Sequence, residues 1–192
     1  MKKFANGLVD LLRKFVRRET GVAAVEFALI VPVMLSVYIG CSEAAALLTA
    51  DRKVQSVAGA VGDLVARSNK MITETQIKDY FEAAKSIMVP YDVSALVQTV
   101  TAVSVSADRK ATVVWSVRYT GGTLLKTVPE HAVGSAYKLP AEMIDIASGQ
   151  TVIAAETSYG YTPLLGMVFK NEMDLRRSAL FMPRFGGTIT FN

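Results

Sequence analysis

Residues 22–48 read VAAVEFALIVPVMLSVYIGCSEAAALL, and their only charged side chains are Glu26 and Glu43. An α-helix rises about 1.5 Å per residue, so this stretch is long enough to cross a hydrocarbon core of about 30 Å. The 16 uncharged residues between the two glutamates cover only about 24 Å. A spanning helix therefore brings at least one carboxylate to the apolar layer or into it. That costs roughly 2.5 kcal/mol or more near the bilayer centre, and such residues are usually functional. Pro32 removes one backbone donor inside the stretch, which membrane helices tolerate. Small or compact residues recur every four positions at Ala24, Ala28, Pro32, Ser36 and Gly40. They form a slowly drifting ridge along which helices can approach closely in lipid.

Charge sets the expected direction of insertion. The chain has a net charge of +4. Residues 1–21 contain six basic side chains against two acidic ones, leaving fifteen of each sign in the rest of the chain. All of the excess therefore precedes the apolar stretch, which predicts a cytoplasmic N-terminus and an exported C-terminal part. The same distribution argues against nucleic-acid binding, which normally requires a positive field on the folded part. Phe4, Leu8, Leu11, Leu12 and Phe15 alternate with basic residues at helical spacing, which predicts an amphipathic leader helix on the inner membrane surface. A secretory signal cleaved near Ala44–Ala46 fits less well, because the charged region is long and Glu43 interrupts the cleavage region. A single cysteine, Cys41, excludes an internal disulfide framework, and a single histidine, His131, excludes most histidine-pair metal sites.

At the start of the span the chain reads Arg17-Arg18-Glu19-Thr20-Gly21-Val22-Ala23-Ala24-Val25-Glu26-Phe27. A basic leader ending in glycine, with a glutamate five residues later in an apolar helix, resembles the processing site of type IV pilins and pseudopilins. The longer run from Gly21 through Glu26-Phe27-Ala28-Leu29-Ile30 to Pro32 is similar to the TadE-like family of Tad pilus assembly proteins. The Gly40…Glu43 pattern fits that family too, and Tyr159-Gly160-Tyr161-Thr162-Pro163-Leu164 resembles a tyrosine–proline stretch found late in its members. The close resemblance covers residues 17–48. It implies a pseudopilin, cut after Gly21 by a prepilin peptidase, that works with other pilins or pseudopilins in the bacterial inner membrane. The expected processing determinants are Gly21, Val22, Glu26 and Phe27. A carboxylate in lipid must be protonated or paired, and cleavage after Gly21 would create an amine at Val22. That amine on a neighbouring subunit would be a fitting partner for Glu26.

The rest of the chain predicts an α+β exported domain, pilin-like, with antiparallel strands after the long N-terminal helix. This gives three parts: a basic leader over 1–21, a transmembrane helix over 22–48 and a periplasmic domain over 49–192. Apolar spacing from Ala44 to Arg67 continues the first helix beyond the membrane, weakened modestly by Gly59 and Gly62. Thr73-Glu74-Thr75-Gln76 predicts a capped second helix to about Met88, burying Ile77, Tyr80, Phe81 and Ala84. Alternation over Ser94–Ser106, a turn at 107–110 and a strand from Thr112 predict a hairpin closed by Gly121-Gly122. Residues 123–150 read as a long loop with a short helix. Gln150–Tyr161, Leu175–Met182 and Gly187–Phe191 read as strands, and 164–170 as a short amphipathic element.

No catalytic signature is evident: no Gly-x-Ser-x-Gly, no His-Glu-x-x-His and no glycine-rich phosphate loop. His131 reads as a solvated loop residue, Arg176-Arg177 as a solvated pair, and Cys41 as a small packing residue. Trp115, Tyr119, Tyr159 and Tyr161 read as core or sheet-face residues. A non-enzymatic protein without metal or cofactor is expected. An uncleaved single-span anchor presenting a binding or scaffold domain is the alternative from a different class, and a membrane-tethered hydrolase is a weaker third.

Overall fold

The computed structural model describes residues 19–163, 165–168 and 170–192. The leader helix expected before residue 19 lies outside the described residues. The first element is a 48-residue helix, α1 (Glu19–Ala66), unbroken at Pro32. It is continuous through residue 48, as the apolar spacing beyond Ala44 predicts. Its two halves have different surroundings. Ala50, Val54, Val57, Val61 and Val65 are essentially fully buried at helical spacing, whereas nearly every residue from 21 to 38 is exposed. The second half is held by packing against the domain, and the first half stands clear of it.

A sharp exit follows α1, with Lys70 at φ +63°. Next come β1 (Met71–Ile72) and α2 (Glu74–Lys85), then a 3-10 turn over Ser86–Met88. The expected capping box is present. Thr73 Oγ1 accepts from the Gln76 backbone at 3.3 Å, and the Thr73 N–H donates to Gln76 Oε1 at 3.0 Å. These bonds satisfy backbone donors that would otherwise be orphaned at the helix start. Ile77, Phe81 and Ala84 form the buried face of α2, and Tyr80 is partly buried beside them.

The strands are β2 (Leu96–Val105), β3 (Ala111–Thr120), β4 (Thr123–Leu125), β5 (Thr151–Tyr161) and β6 (Met173–Phe181). They form one antiparallel sheet in the order β4-β3-β2-β5-β6. The β2–β3 hairpin turns where expected, with Arg109 at φ +63°. Gly121 and Gly122, at φ +54° and +83°, do more than close the hairpin. Two successive left-handed positions make a tight reversal, and the chain returns as β4, a strand that composition did not reveal. β7 (Thr190–Phe191) pairs in parallel with β1, a shorter element than the strand expected over Gly187–Phe191.

Register explains the core. Leu96, Val100 and Ala102 of β2 line up with Tyr159, Ala155 and Ile153 of β5, and all belong to the main core under α1 and α2. Val103 and Val105 alternate onto the opposite face, and an irregularity where Ala102 pairs with Trp115 but Val103 with Val113 turns the start of β3 to that face as well. There they join Ala111 and Val152 under the segment that holds Leu139 and Ala147. That segment is the expected loop of 123–150. It contains a 3-10 turn (Pro129–His131) and one short helix, α3 (Ala141–Ile146). The described residues of 164–170 form neither helix nor strand.

Candidate functional site at the two ends of the apolar helix

The first half of α1 meets the length and composition required to cross a membrane, and none of its most apolar window is buried by the rest of the chain. Val22 is 64% exposed and Phe27 69%. So large a naked apolar surface marks a membrane or protein contact. The helix also manages its own polar groups. Ser36 Oγ donates to the Pro32 carbonyl at 2.7 Å, which hides a hydroxyl that lipid would not solvate.

The residues expected for processing and packing lie on this half, and all but Gly40 are bare. Gly21 is in the first turn of α1, and a Cβ built there would meet nothing within 4 Å. Ala24, Ala28, Pro32 and Ser36 are exposed, so the ridge is uncovered over most of its length. Gly40 is half-buried. A Cβ there would touch Val168 Cγ2 at 3.6 Å, so this position already faces the chain's own loop. Cys41 is a free, exposed thiol.

The two glutamates are treated differently. Glu26 is exposed, and among the described residues no side chain or backbone group is recorded as bonding its carboxylate. Glu43 is only 4% exposed. Its Oε1 accepts from the Met167 N–H at 3.0 Å and its Oε2 from the Val168 N–H at 2.9 Å. A buried carboxylate is tolerated when hydrogen bonds to its charged form replace water. Here the same bonds satisfy two loop amides. Glu43 thus latches the β5–β6 connection to the outer end of the apolar half. The i, i+3 spacing of Gly40 and Glu43 puts both on one helix face. The sequence held that signal, but only the structure supplies the loop they meet.

The tyrosine–proline stretch reaches the same place. Tyr159 and Tyr161 are alternate residues of β5 and share a sheet face. Both pack edge-on to Tyr91, with ring centroids 6.4 and 6.1 Å apart. The Tyr91 hydroxyl donates to the Ala46 carbonyl at 3.1 Å, one turn beyond Glu43. Burial, the leading cause, pushes the Tyr159 and Tyr161 phenols above their ordinary range. Tyr91 carried no sequence signal, because its role depends on which strand lies beside it. Farther along, Lys53 Nζ donates to the Ile87 and Val89 carbonyls at 2.8 Å each, and Arg177 pairs with Asp51 at 2.6 Å. Arg177 is therefore a tie from the edge strand to α1. Arg176 pairs with Asp174 on the exposed surface at 2.7 Å.

The sheet face away from α1 carries a polar cleft of about 470 Å³, lined by Thr99, Arg118, Glu130, Glu156 and Arg176 among others. His131 is not a solvated loop residue. Its Nε2 lies 2.9 Å from Glu156 Oε2, with the side chain 19% exposed. The Tyr137 hydroxyl donates to Glu156 Oε1 at 2.6 Å, and burial, with that carboxylate's help, pushes its phenol up. Arg118 forks onto both oxygens of Glu130 at 3.3 and 3.0 Å. These bonds tie residues 129–137 down onto the sheet. Among the described residues no hydroxyl or thiol is recorded as bonded to His131, and no group of three potential ligands suits a metal. The pair lacks the adjoining nucleophile that triad chemistry needs.

A family model described as TadE-like protein matches residues 21–62. That segment begins at Gly21 and includes Glu26, Gly40 and Glu43. It overlaps residues 17–48, on which the close TadE-like resemblance rests, and extends beyond them along α1. No curated protein and no solved structure matches the chain.

Proposed function

We propose that this chain is a pseudopilin acting in the assembly or initiation of a Tad-type pilus. It is anchored in the bacterial inner membrane by the first half of α1, with its N-terminus cytoplasmic and its α+β domain periplasmic. A prepilin peptidase removes the leader after Gly21. The observation that carries the reading is the TadE-like match over residues 21–62, on a helix half that the rest of the chain leaves bare.

The mechanism is assembly, not catalysis. A carboxylate on an exposed membrane helix is costly unless it is paired. Glu43 is bonded within the fold, and Glu26 projects from the uncovered helix. Cleavage would place a positive amine on Val22, and this amine on a neighbouring pilin or pseudopilin pairs with Glu26. Only one axial register lets both charges meet, so the pair selects the register. The ridge from Ala24 to Ser36 lets the helices approach closely. The exported domain then contacts other pilus components, which links the protein to surface adhesion of the cell.

The test is the intact mass and N-terminal peptide of membrane-extracted protein, with and without a co-expressed prepilin peptidase. A new N-terminus at Val22, absent from a Gly21 variant, is the expected result. An intact leader in the presence of an active peptidase would replace this reading with the uncleaved anchor.

A further inference from the structure

The β5–β6 connection leaves three apolar side chains in the open beside the end of the anchor helix. Leu165 is 53% exposed, Met167 62% and Val168 53%. A soluble domain has no evident reason to display them together. Their height along α1 is fixed by two contacts: Val168 lies against Gly40, and the Met167 and Val168 amides are bonded to Glu43.

That height can be compared with a bilayer. A hydrocarbon core of about 30 Å takes about 20 helical residues. If the core begins at Val22, it ends at Cys41, and Gly40 lies just inside its outer edge. If it begins after Glu26, it ends near Ala46, and Gly40 lies about 9 Å inside. Either register sets Val168 against lipid. An irregular backbone can approach that depth only if its amides have partners, and Glu43 supplies them to residues 167 and 168. Lys170 is exposed just beyond, within reach of headgroup phosphates for a long side chain that keeps its stem in the apolar layer.

We propose that residues 165–168 form a second membrane contact, dipping into the outer leaflet beside the span, with Glu43 as the latch that sets their depth. The domain would then be held at two points, which restrains its rotation and tilt about α1. This inference rests on the reading of α1 as a membrane anchor. The expected occupant of the patch is lipid, because the patch is continuous with the lipid-facing surface of the helix.

The experiment uses the full chain with Cys41→Ser, in nanodiscs of phosphatidylethanolamine and phosphatidylglycerol at one chain per disc. An environment-sensitive fluorophore is attached to Leu165→Cys or Met167→Cys, and quenched by lipids spin-labelled near the headgroup end of the acyl chain. Val33→Cys marks the span, and Asp108→Cys marks the β2–β3 turn. Labels at 165 and 167 are expected to be quenched at least about threefold more than the label at 108. Adding Glu43→Ala, with the fold checked by circular dichroism, should bring them down towards the level at 108. Quenching at 33 but not at 165 or 167 would overturn the second contact and leave the anchor standing. No quenching at 33 would overturn the anchor and the contact with it. Shielding of 165 and 167 from aqueous iodide only when two chains share a disc, without lipid quenching, would assign the patch to a second copy and overturn the proposal.

Discussion

Two glycines in α1 offer a direct test of how the helix meets the sheet. Replacing either with alanine removes the same backbone-entropy penalty, about 1 kcal/mol in a helix interior. Their surroundings differ. A Cβ on Gly59 meets nothing within 4 Å. A Cβ on Gly62 would lie 2.6 Å from two ring atoms of Phe181 and 3.1 Å from the Ala155 Cβ. Carbon atoms do not approach to 2.6 Å, so the ring or the helix must move. Overpacking of this kind costs about 1–3 kcal/mol. Gly59→Ala should therefore stabilise by about 1 kcal/mol, and Gly62→Ala should destabilise by about 1 kcal/mol once its propensity gain is subtracted. For a domain of this size 1 kcal/mol moves Tm by about 2–4 °C, so the two variants should differ by about 4–8 °C. The assay is thermal unfolding of the detergent-solubilised full chain, followed by near-ultraviolet circular dichroism of Trp115 and the tyrosines. Phe181→Leu, combined with Gly62→Ala, should recover part of the loss, as expected for residues in contact. Equal stabilisation by Gly59→Ala and Gly62→Ala would refute the close approach of α1 to β5 and β6.

Other outcomes follow from named contacts. Glu43→Ala should raise hydrogen exchange at the Met167 and Val168 amides by about one to two orders of magnitude, because each loses a bond to a charged acceptor worth about 1.5–3 kcal/mol. Asp63 bonds Arg67 and Arg184 at 2.5 Å each, and these partners, Arg67 foremost, hold its carboxyl below the ordinary range. A depressed folded value stabilises above the unfolded value and is lost as pH falls. The Tm advantage of wild type over Asp63→Asn should thus be constant above about pH 5 and shrink below about pH 4. Tyr119 is pushed up to about 12, by burial first and then by its bond to Glu82. Its ultraviolet tyrosinate signal should rise only near that pH, about two units above a free phenol. Trp115 Nε1 donates to the Ile189 carbonyl at 2.6 Å. Trp115→Phe should cost about 1–3 kcal/mol by orphaning that carbonyl, with hydrogen exchange accelerated first at the β1–β7 pair.

The covalent chain alone determines much of this protein. Residues 22–48 read as an apolar helix, because local hydrophobicity decides that without reference to any partner. The capping box at Thr73–Gln76 and the glycine turn at 121–122 were equally legible, because each depends on residues adjacent in sequence. β5 and β6 lie within two residues of the strands read at Gln150–Tyr161 and Leu175–Met182. What could not be read were the relations between distant segments. Gly62 reads as a weak point in a helix, yet a Cβ there would run into Phe181 and Ala155 of the sheet. His131 looked solvated until β5 brought Glu156 beneath it. β4 and β1 are too short to carry periodicity and exist because a neighbouring strand offers bonds, and of the strand expected over Gly187–Phe191 only Thr190–Phe191 finds such a partner. By charge and hydropathy alone, Glu26 and Glu43 are two carboxylates bracketing an apolar run, and only the family resemblance sets Glu26 apart. Tertiary structure separates them, because folding brings two loop amides, 124 and 125 residues away, onto Glu43. Hydrogen bonds of such long sequence separation leave no local pattern, and so only the fold could reveal that one glutamate is bonded within the chain while the other stands on its bare surface.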